Sequence, residues 1–303
     1  MRHISDYVIV YDMKSFFGFA LLFIFFLSSS MGCASTEKNE RSCNQEEIVM
    51  SEPAAAENSS SPFQAKVRFF GERKKPAARS ILIMPPTGGT NYIDRRYAQE
   101  LCNNNYDVYI LNEWSEMSSR TIELTLHQNY YARAQRAISL VFSEISSEFI
   151  GMLGTSLGGL HTSVSLQTQP RLDAAFIITA GLPIIDVIMT SDQDAMIRLR
   201  KIRMQEFKFP NESELQKAIE NVFHLEPTRL GEHFKNKKIG VALALNDRTV
   251  PTKSQQRLVD FFKPDTVLEY SSNHFWGIVK TWLFDSSEVV RFFNSASKTQ
   301  ASP

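Results

Sequence analysis

Few residues of this 303-residue chain stand where they could carry covalent chemistry, and the first is Ser156 in "GMLGTSLGGL". A serine hydroxyl is a weak nucleophile at neutral pH. It attacks a carbonyl only when a base takes its proton, an acid orients that base, and N–H donors receive the developing oxyanion. The chain offers one candidate for each role. Of six histidines, His274 in "EYSSNHFWGI" falls between the last strand-like run and the last helix. His3 lies in the leader, and His127, His161, His224 and His233 fall on or beside helical segments, where surface or packing roles suit them. Asp247 in "VALALNDRTVP" ends a buried apolar run and precedes His274 by 27 residues. Taken alone, N-D is also an ordinary turn signal. Together, Ser156, Asp247 and His274 would make an acyl-transfer site, provided that the fold unites them.

The elements that must do so follow from hydrophobic periodicity. "FQAKVRFF" alternates apolar and polar residues, as a half-buried strand does. "SILIMPP", "YDVYILNEW", "EFIGML", "DAAFIITAGL" and "IGVALALN" are apolar runs suited to strands covered on both faces, and "TVLEYSS" is a further strand. Helical patterns separate them: "YIDRRYAQELCNNN", residues 123–145, residues 156–167, "KSQQRLVDFF" and residues 278–293. This alternation predicts an α/β fold, a mainly parallel central sheet flanked by helices. In such sheets functional groups gather beyond the carboxyl ends of strands. Ser156 and Asp247 directly follow predicted strands, and one helix and one strand return the chain from Asp247 to His274. A strand–serine–helix turn needs small neighbours, and Gly154, Gly158 and Gly159 supply them.

This layout resembles the α/β-hydrolase superfamily over residues 63–293, on the strength of G-T-S-L-G-G, N-D-R-T-V-P and N-H-F-W in the order Ser, Asp, His. The resemblance implies Ser156 as nucleophile, His274 as base and Asp247 as acid. It also implies an oxyanion hole formed by the N–H of Leu157 and a second donor from the loop after an early strand. Here that loop reads "MPPTGGTN" without the family's histidine. Pro85 and Pro86 have no N–H, which leaves Thr87 or Gly88. The implied activity is hydrolysis of an ester, thioester or related acyl bond; an acyltransferase, a peptidase or a catalytically silent binding protein would share the layout. The implied partner is a small-molecule acyl substrate. Neither a Gly-rich nucleotide loop nor a metal-ligand cluster is apparent, so no cofactor is expected.

Residues 183–238 interrupt the strand–helix rhythm and predict a helical insertion, where family members often carry a lid. Its "MIRLRKIRMQEF" carries Arg198, Arg200, Lys201 and Arg203 among Met, Ile and Leu. A lid with an apolar underside for acyl groups and a basic surface for anionic substrates or lipid headgroups are alternatives. A helix packed on the sheet with a solvated basic face is the expectation. Asn211 and Glu214 have capping-box spacing ahead of a further helix. Trp276, two residues past His274, suits a pocket wall or a core position.

The N-terminus has its own logic. "MKSFFGFALLFIFFLSSSMGC" has a lysine, the apolar run 16–27 and small residues, the layout of a secretory signal peptide. The run is shorter than the roughly 20 residues of a membrane-spanning helix. Met13 is the expected start. The ending S-M-G-C resembles a bacterial lipoprotein signal, which implies lipidation (palmitate) at Cys33, a membrane anchor and a place in the bacterial cell envelope; Ser30 departs from that pattern, and an ordinary cleaved leader is the alternative. Residues 1–33 are thus read as leader, 34–62 as a flexible tether in which "EEIVM" could be an edge strand, 63–296 as the hydrolase domain, and 297–303 as tail. A Cys43–Cys102 disulfide could form in an oxidising envelope, but Cys43 falls in the tether and Cys102 ends a predicted helix, so free thiols are the expectation. Thirty-three basic and 33 acidic residues cancel, which argues against a nucleic-acid binder.

Overall fold

The computed structural model describes residues 42–53, 62–114 and 122–300. The leader and Cys33 lie outside the described residues. Among the described residues, no helix is long and apolar enough to cross a membrane.

Eight strands form one sheet in the order β1-β2-β4-β3-β5-β6-β7-β8. In chain order these are β1 (Asn44–Ser51), β2 (Gln64–Gly71), β3 (Arg79–Met84), β4 (Asp107–Trp114), β5 (Phe149–Thr155), β6 (Ala174–Ile178), β7 (Lys238–Ala244) and β8 (Thr266–Tyr270). β1 and β2 pair antiparallel at one edge, β2 pairs antiparallel with β4, and all later pairings are parallel. The helices are α1 (Tyr92–Asn103), α2 (Leu126–Glu144), α3 (Leu157–Thr168), α4 (Ile184–Thr190), α5 (Asp194–Glu206), α6 (Glu212–Val222), α7 (Thr252–Phe262) and α8 (His274–Gln300).

Side chains of a strand point alternately to opposite faces, and the core divides accordingly. Leu82 and Met84 of β3 join a cluster with residues of α2, α3, α4, α6 and α7, whereas Ile81 and Ile83 join one with α1 and α8. Both faces are covered, which is why the central strands read as continuous apolar runs. Gly151 of β5 makes room for α8: a Cβ there would lie 2.5 Å from Ile81 Cδ1 and 2.8 Å from Phe293 Cε1.

Two expectations about the N-terminal part are corrected. Residues 44–51, within the expected tether, form the edge strand β1, longer than "EEIVM". Most of its side chains are exposed, so its place depends on backbone pairing with β2 and on the ion pairs Glu46–Arg73 and Glu47–Arg68. Charged side chains on such an edge discourage pairing with other chains. Cys43 is not a free thiol but is bonded to Cys102 of α1, with Cα atoms 5.9 Å apart. Pairing of β1 is what carries Cys43 to α1.

The expected insertion is present, with α4, α5, α6 and a 3-10 turn at Pro227–Arg229 between β6 and β7. Asn211 caps α6 by accepting from the Glu214 N–H at 3.0 Å. The basic face of α5 needs correction at Arg203. Arg198 and Lys201 are exposed, but Arg203 is buried and donates to the carbonyls of Ile122 and Glu123. It also lies 3.1 Å from His127 Nε2.

Candidate active site

Ser156 occupies the one-residue turn between β5 and α3, at φ 54° and ψ −116°. That backbone is strained for a residue with a Cβ. It is held by the Ser156 N–H to the Ile178 carbonyl (2.8 Å) and by the Leu160 N–H to the Ser156 carbonyl (3.0 Å). The flanking glycines permit the close approach. A Cβ on Gly154 would lie 2.2 Å from Thr162 Oγ1, and one on Gly158 would lie 1.9 Å from the Met84 carbonyl oxygen.

His274 is the first residue of α8, which begins four residues earlier than the periodicity predicts. Asn273 caps it, accepting from the Trp276 N–H at 3.0 Å. Gly277 seats the first turn against the end of β7, where a Cβ would fall 2.6 Å from Ala244 Cβ. Asp247 follows β7, on the strand beside β8, and its Oδ1 accepts the N–H groups of Thr249 (2.8 Å) and Val250 (2.9 Å).

These placements bring the three side chains together. His274 Nε2 is 2.8 Å from Ser156 Oγ, and His274 Nδ1 is 2.6 Å from Asp247 Oδ2. Ser156 and Asp247 are buried, and the His274 side chain keeps 17% exposure, so it is the part of the trio that meets the surface. The imidazole is oriented at one nitrogen and faces the hydroxyl with the other. Such a chain can take the serine proton and return it to a leaving group.

The other histidines do not enter this arrangement. His161 lies on α3 among the rings of Trp114, Tyr130 and Tyr131, and burial pushes it down to about 3. His127 is likewise held at about 3, by burial and then by the Arg203 charge. Both are neutral core rings.

Leu157 opens α3, so its N–H belongs to the first helical turn, which has no intrahelical acceptor. The loop carrying Thr87 and Gly88 springs from Met84 and Pro85, in contact with Gly158. The Gly89 N–H closes a turn on the Pro86 carbonyl at 3.1 Å, a bond in which the N–H groups of the two central residues, Thr87 and Gly88, take no part. Gly88 and Gly89 have φ of 98° and 83°, the left-handed region that only glycine enters freely.

The insertion borders the site. The Asp192 N–H reaches the Arg248 carbonyl (3.3 Å), and Thr249 Oγ1 donates to Asp192 Oδ1 (3.1 Å), so the α4–α5 turn rests on the loop after Asp247. Buried Glu226 accepts the Ile184 N–H at the start of α4 (2.8 Å); burial raises its carboxyl to about 7, against the pull of the backbone N–H groups and Arg229. Phe275 and Trp276, beside His274, are about half exposed, so Trp276 is not a core residue.

Solved structures with the same architecture include esterases and a thioesterase. An esterase of Pyrococcus furiosus superimposes with a TM-score of 0.55 at 10% identity, over 84% of this chain and 93% of its own. Acetyl xylan esterase 1 from Thermoanaerobacterium sp. JW/SL YS485 gives 0.61 at 9% identity, over 83% and 88%. The thioesterase domain from the curacin biosynthetic pathway gives 0.50 at 10% identity, over 82% and 99%. The chain has the α/β-hydrolase fold. No protein-family model matches the sequence, and no curated protein does.

One residue at this site escapes the sequence reading. Gln255 of α7 is fully buried and donates to Asp247 Oδ2 at 2.9 Å. Its signal is a polar residue on the apolar face 255, 258 and 262 of an amphipathic helix.

Proposed function

We propose that this α/β-hydrolase-fold protein is a serine hydrolase that cleaves a carboxylic ester, thioester or related acyl bond through an acyl-enzyme. The observation that carries the reading is the continuous chain from Ser156 Oγ through both nitrogens of His274 to Asp247, with gaps of 2.8 and 2.6 Å. In this reading His274 Nε2 accepts the Ser156 proton as Oγ attacks the acyl carbon. The oxyanion is received by the Leu157 N–H and by that of Thr87 or Gly88. The imidazolium, stabilised by Asp247, protonates the departing alcohol or thiol. Water then enters, gives its proton to His274, and releases the acid from Ser156.

The neighbouring esterases and thioesterase support acyl chemistry, as does the helical insertion at the rim of the site. Purified protein should take a fluorophosphonate label at Ser156 and hydrolyse p-nitrophenyl esters, with a chain-length series reporting the acyl preference. Ser156→Ala and His274→Ala should each lower kcat by at least about 10⁴-fold, and Asp247→Asn by somewhat less. Absence of label on the wild-type protein, or equal label on Ser156→Ala, would leave a silent ligand-binding protein instead. Transfer to an added alcohol faster than hydrolysis would make it an acyltransferase.

The proposal extends to location. A lipidated Cys33 would tether the domain to an envelope membrane, and the Cys43–Cys102 bond supports an oxidising compartment. Incorporation of labelled palmitate, abolished by Cys33→Ser, tests this; equal incorporation in both would refute it.

A further inference from the structure

The acid of the proposed triad is held by more than its own loop. Asp247 accepts four hydrogen bonds: Thr249 N–H and Val250 N–H at Oδ1, His274 Nδ1 and Gln255 Nε2 at Oδ2. Three of these donors come from the loop and from the imidazole itself. Gln255 is the exception, a side chain from the first turns of α7 with no exposed surface. Its amide is used at both ends. Nε2 also donates to the Val250 carbonyl (2.8 Å) and approaches the Ala244 carbonyl (3.3 Å), while Oε1 accepts the Ala244 N–H (3.0 Å). One planar amide thus joins the last residue of β7, the carboxylate and the loop beyond it.

Burying a polar side chain on an otherwise apolar helix face is unfavourable unless every group is bonded. Leu258 and Phe262, farther along the same face, show what packing alone would select. We propose that Gln255 is a positioning residue, which fixes the Asp247 carboxylate for His274 and draws negative charge away from Oδ2. The inference rests on the hydrolase reading given above. A carboxylate anchored only at Oδ1 can swing about that oxygen. The Gln255 donor pins Oδ2 in the direction of Nδ1. It also shares the electron density of that oxygen, so its removal leaves the carboxylate less well aimed, which lowers kcat, but more negative, which favours the charged imidazolium over the neutral ring.

The test uses Gln255→Met and Gln255→Glu beside wild type, with kcat and KM for a p-nitrophenyl ester across pH 5–10, thermal unfolding, and fluorophosphonate labelling of Ser156. Gln255→Met should lower kcat about tenfold with KM nearly unchanged, and shift the acid limb of the kcat/KM profile to higher pH. Gln255→Glu keeps the shape. Its protonated form can still donate to Oδ2, so activity should approach wild type at low pH and fall along a new alkaline limb as the second carboxylate ionises beside the first. Variants that unfold at lower temperature but keep wild-type pH profiles would reduce Gln255 to a structural residue and overturn the proposal. An unlabelled, inactive wild-type protein would instead overturn the hydrolase reading, and this inference with it.

Discussion

Gly158→Ala provides a sharp test of how the site is assembled. Alanine is the better helix former by about 1 kcal/mol, so without a steric conflict the variant would be the more stable protein. The structure predicts the opposite sign. The added Cβ would sit 1.9 Å from the Met84 carbonyl oxygen, 2.5 Å from Met84 C and 2.6 Å from the Pro85 oxygen. These are backbone atoms at the end of β3, and none can rotate away. Restoring ordinary contact needs a movement of roughly 1.5 Å between α3 and the loop of Thr87 and Gly88. Overpacking of this kind costs about 3 kcal/mol, or roughly 6–12 °C in Tm for a domain of this size. The same movement separates the proposed oxyanion donors, and a displacement near 1 Å lowers kcat by about 10²-fold. Gly159→Ala is the control. Its Cβ would meet Ala180 Cβ at 2.7 Å and Ile177 Cγ2 at 3.1 Å, on the sheet side of the same helical turn, and the Gly154 carbonyl oxygen only at 3.3 Å, far looser than the Gly158 contacts. It should lose stability while keeping most of its kcat. Calorimetry and p-nitrophenyl acetate turnover measure both quantities. Wild-type Tm and kcat in Gly158→Ala, or equal kcat loss in the two variants, would mean that close packing of Gly158 on Met84 does not assemble the site.

Three further outcomes follow from buried groups. Glu226 titrates at 4.5 when unfolded and about 7 when folded, so the folded state keeps its proton where the unfolded chain has released it, and stability falls as pH rises between those values. Glu226→Gln should therefore gain up to about 3 kcal/mol relative to wild type between pH 5 and pH 8 in urea unfolding, and a pH-independent difference would contradict this. Reduction of Cys43–Cys102, or Cys43→Ser, opens a closure of 59 residues and should cost about 4 kcal/mol in the chain-entropy account, read as a lower Tm under dithiothreitol. Arg203→Met should destabilise by about 2–3 kcal/mol because the carbonyls of Ile122 and Glu123 lose a charged donor; an unchanged urea midpoint would count against that account.

The strands of the sheet centre were legible because burial on both faces writes them as apolar runs. The turn at Ser156 was legible because small residues must surround a strained serine between strand and helix. Residues invisible to periodicity were those whose partners are distant in sequence. β1 shows mostly exposed side chains, so its pattern resembles a tether until β2 is beside it. The Cys43–Cys102 bond depends on that pairing. Arg203 reads as one more surface cation until the carbonyls near α2 are seen to need a donor. Gln255 looks like a solvent-facing glutamine in "KSQQRL", and only the position of Asp247 gives its burial a reason.

The disulfide also decides which parts of the molecule bear mechanical load. A pull applied ahead of Cys43 passes through the sulfur bridge into α1 at Cys102 and onward along the chain. β1, β2 and β3, with the loop of Thr87 and Gly88, sit inside the closed covalent ring and are bypassed. While the bridge is intact, stretching from the N-terminal side should leave about 200 Å of contour length hidden. That length, released only by a reductant, would appear as one additional step in a single-molecule extension trace.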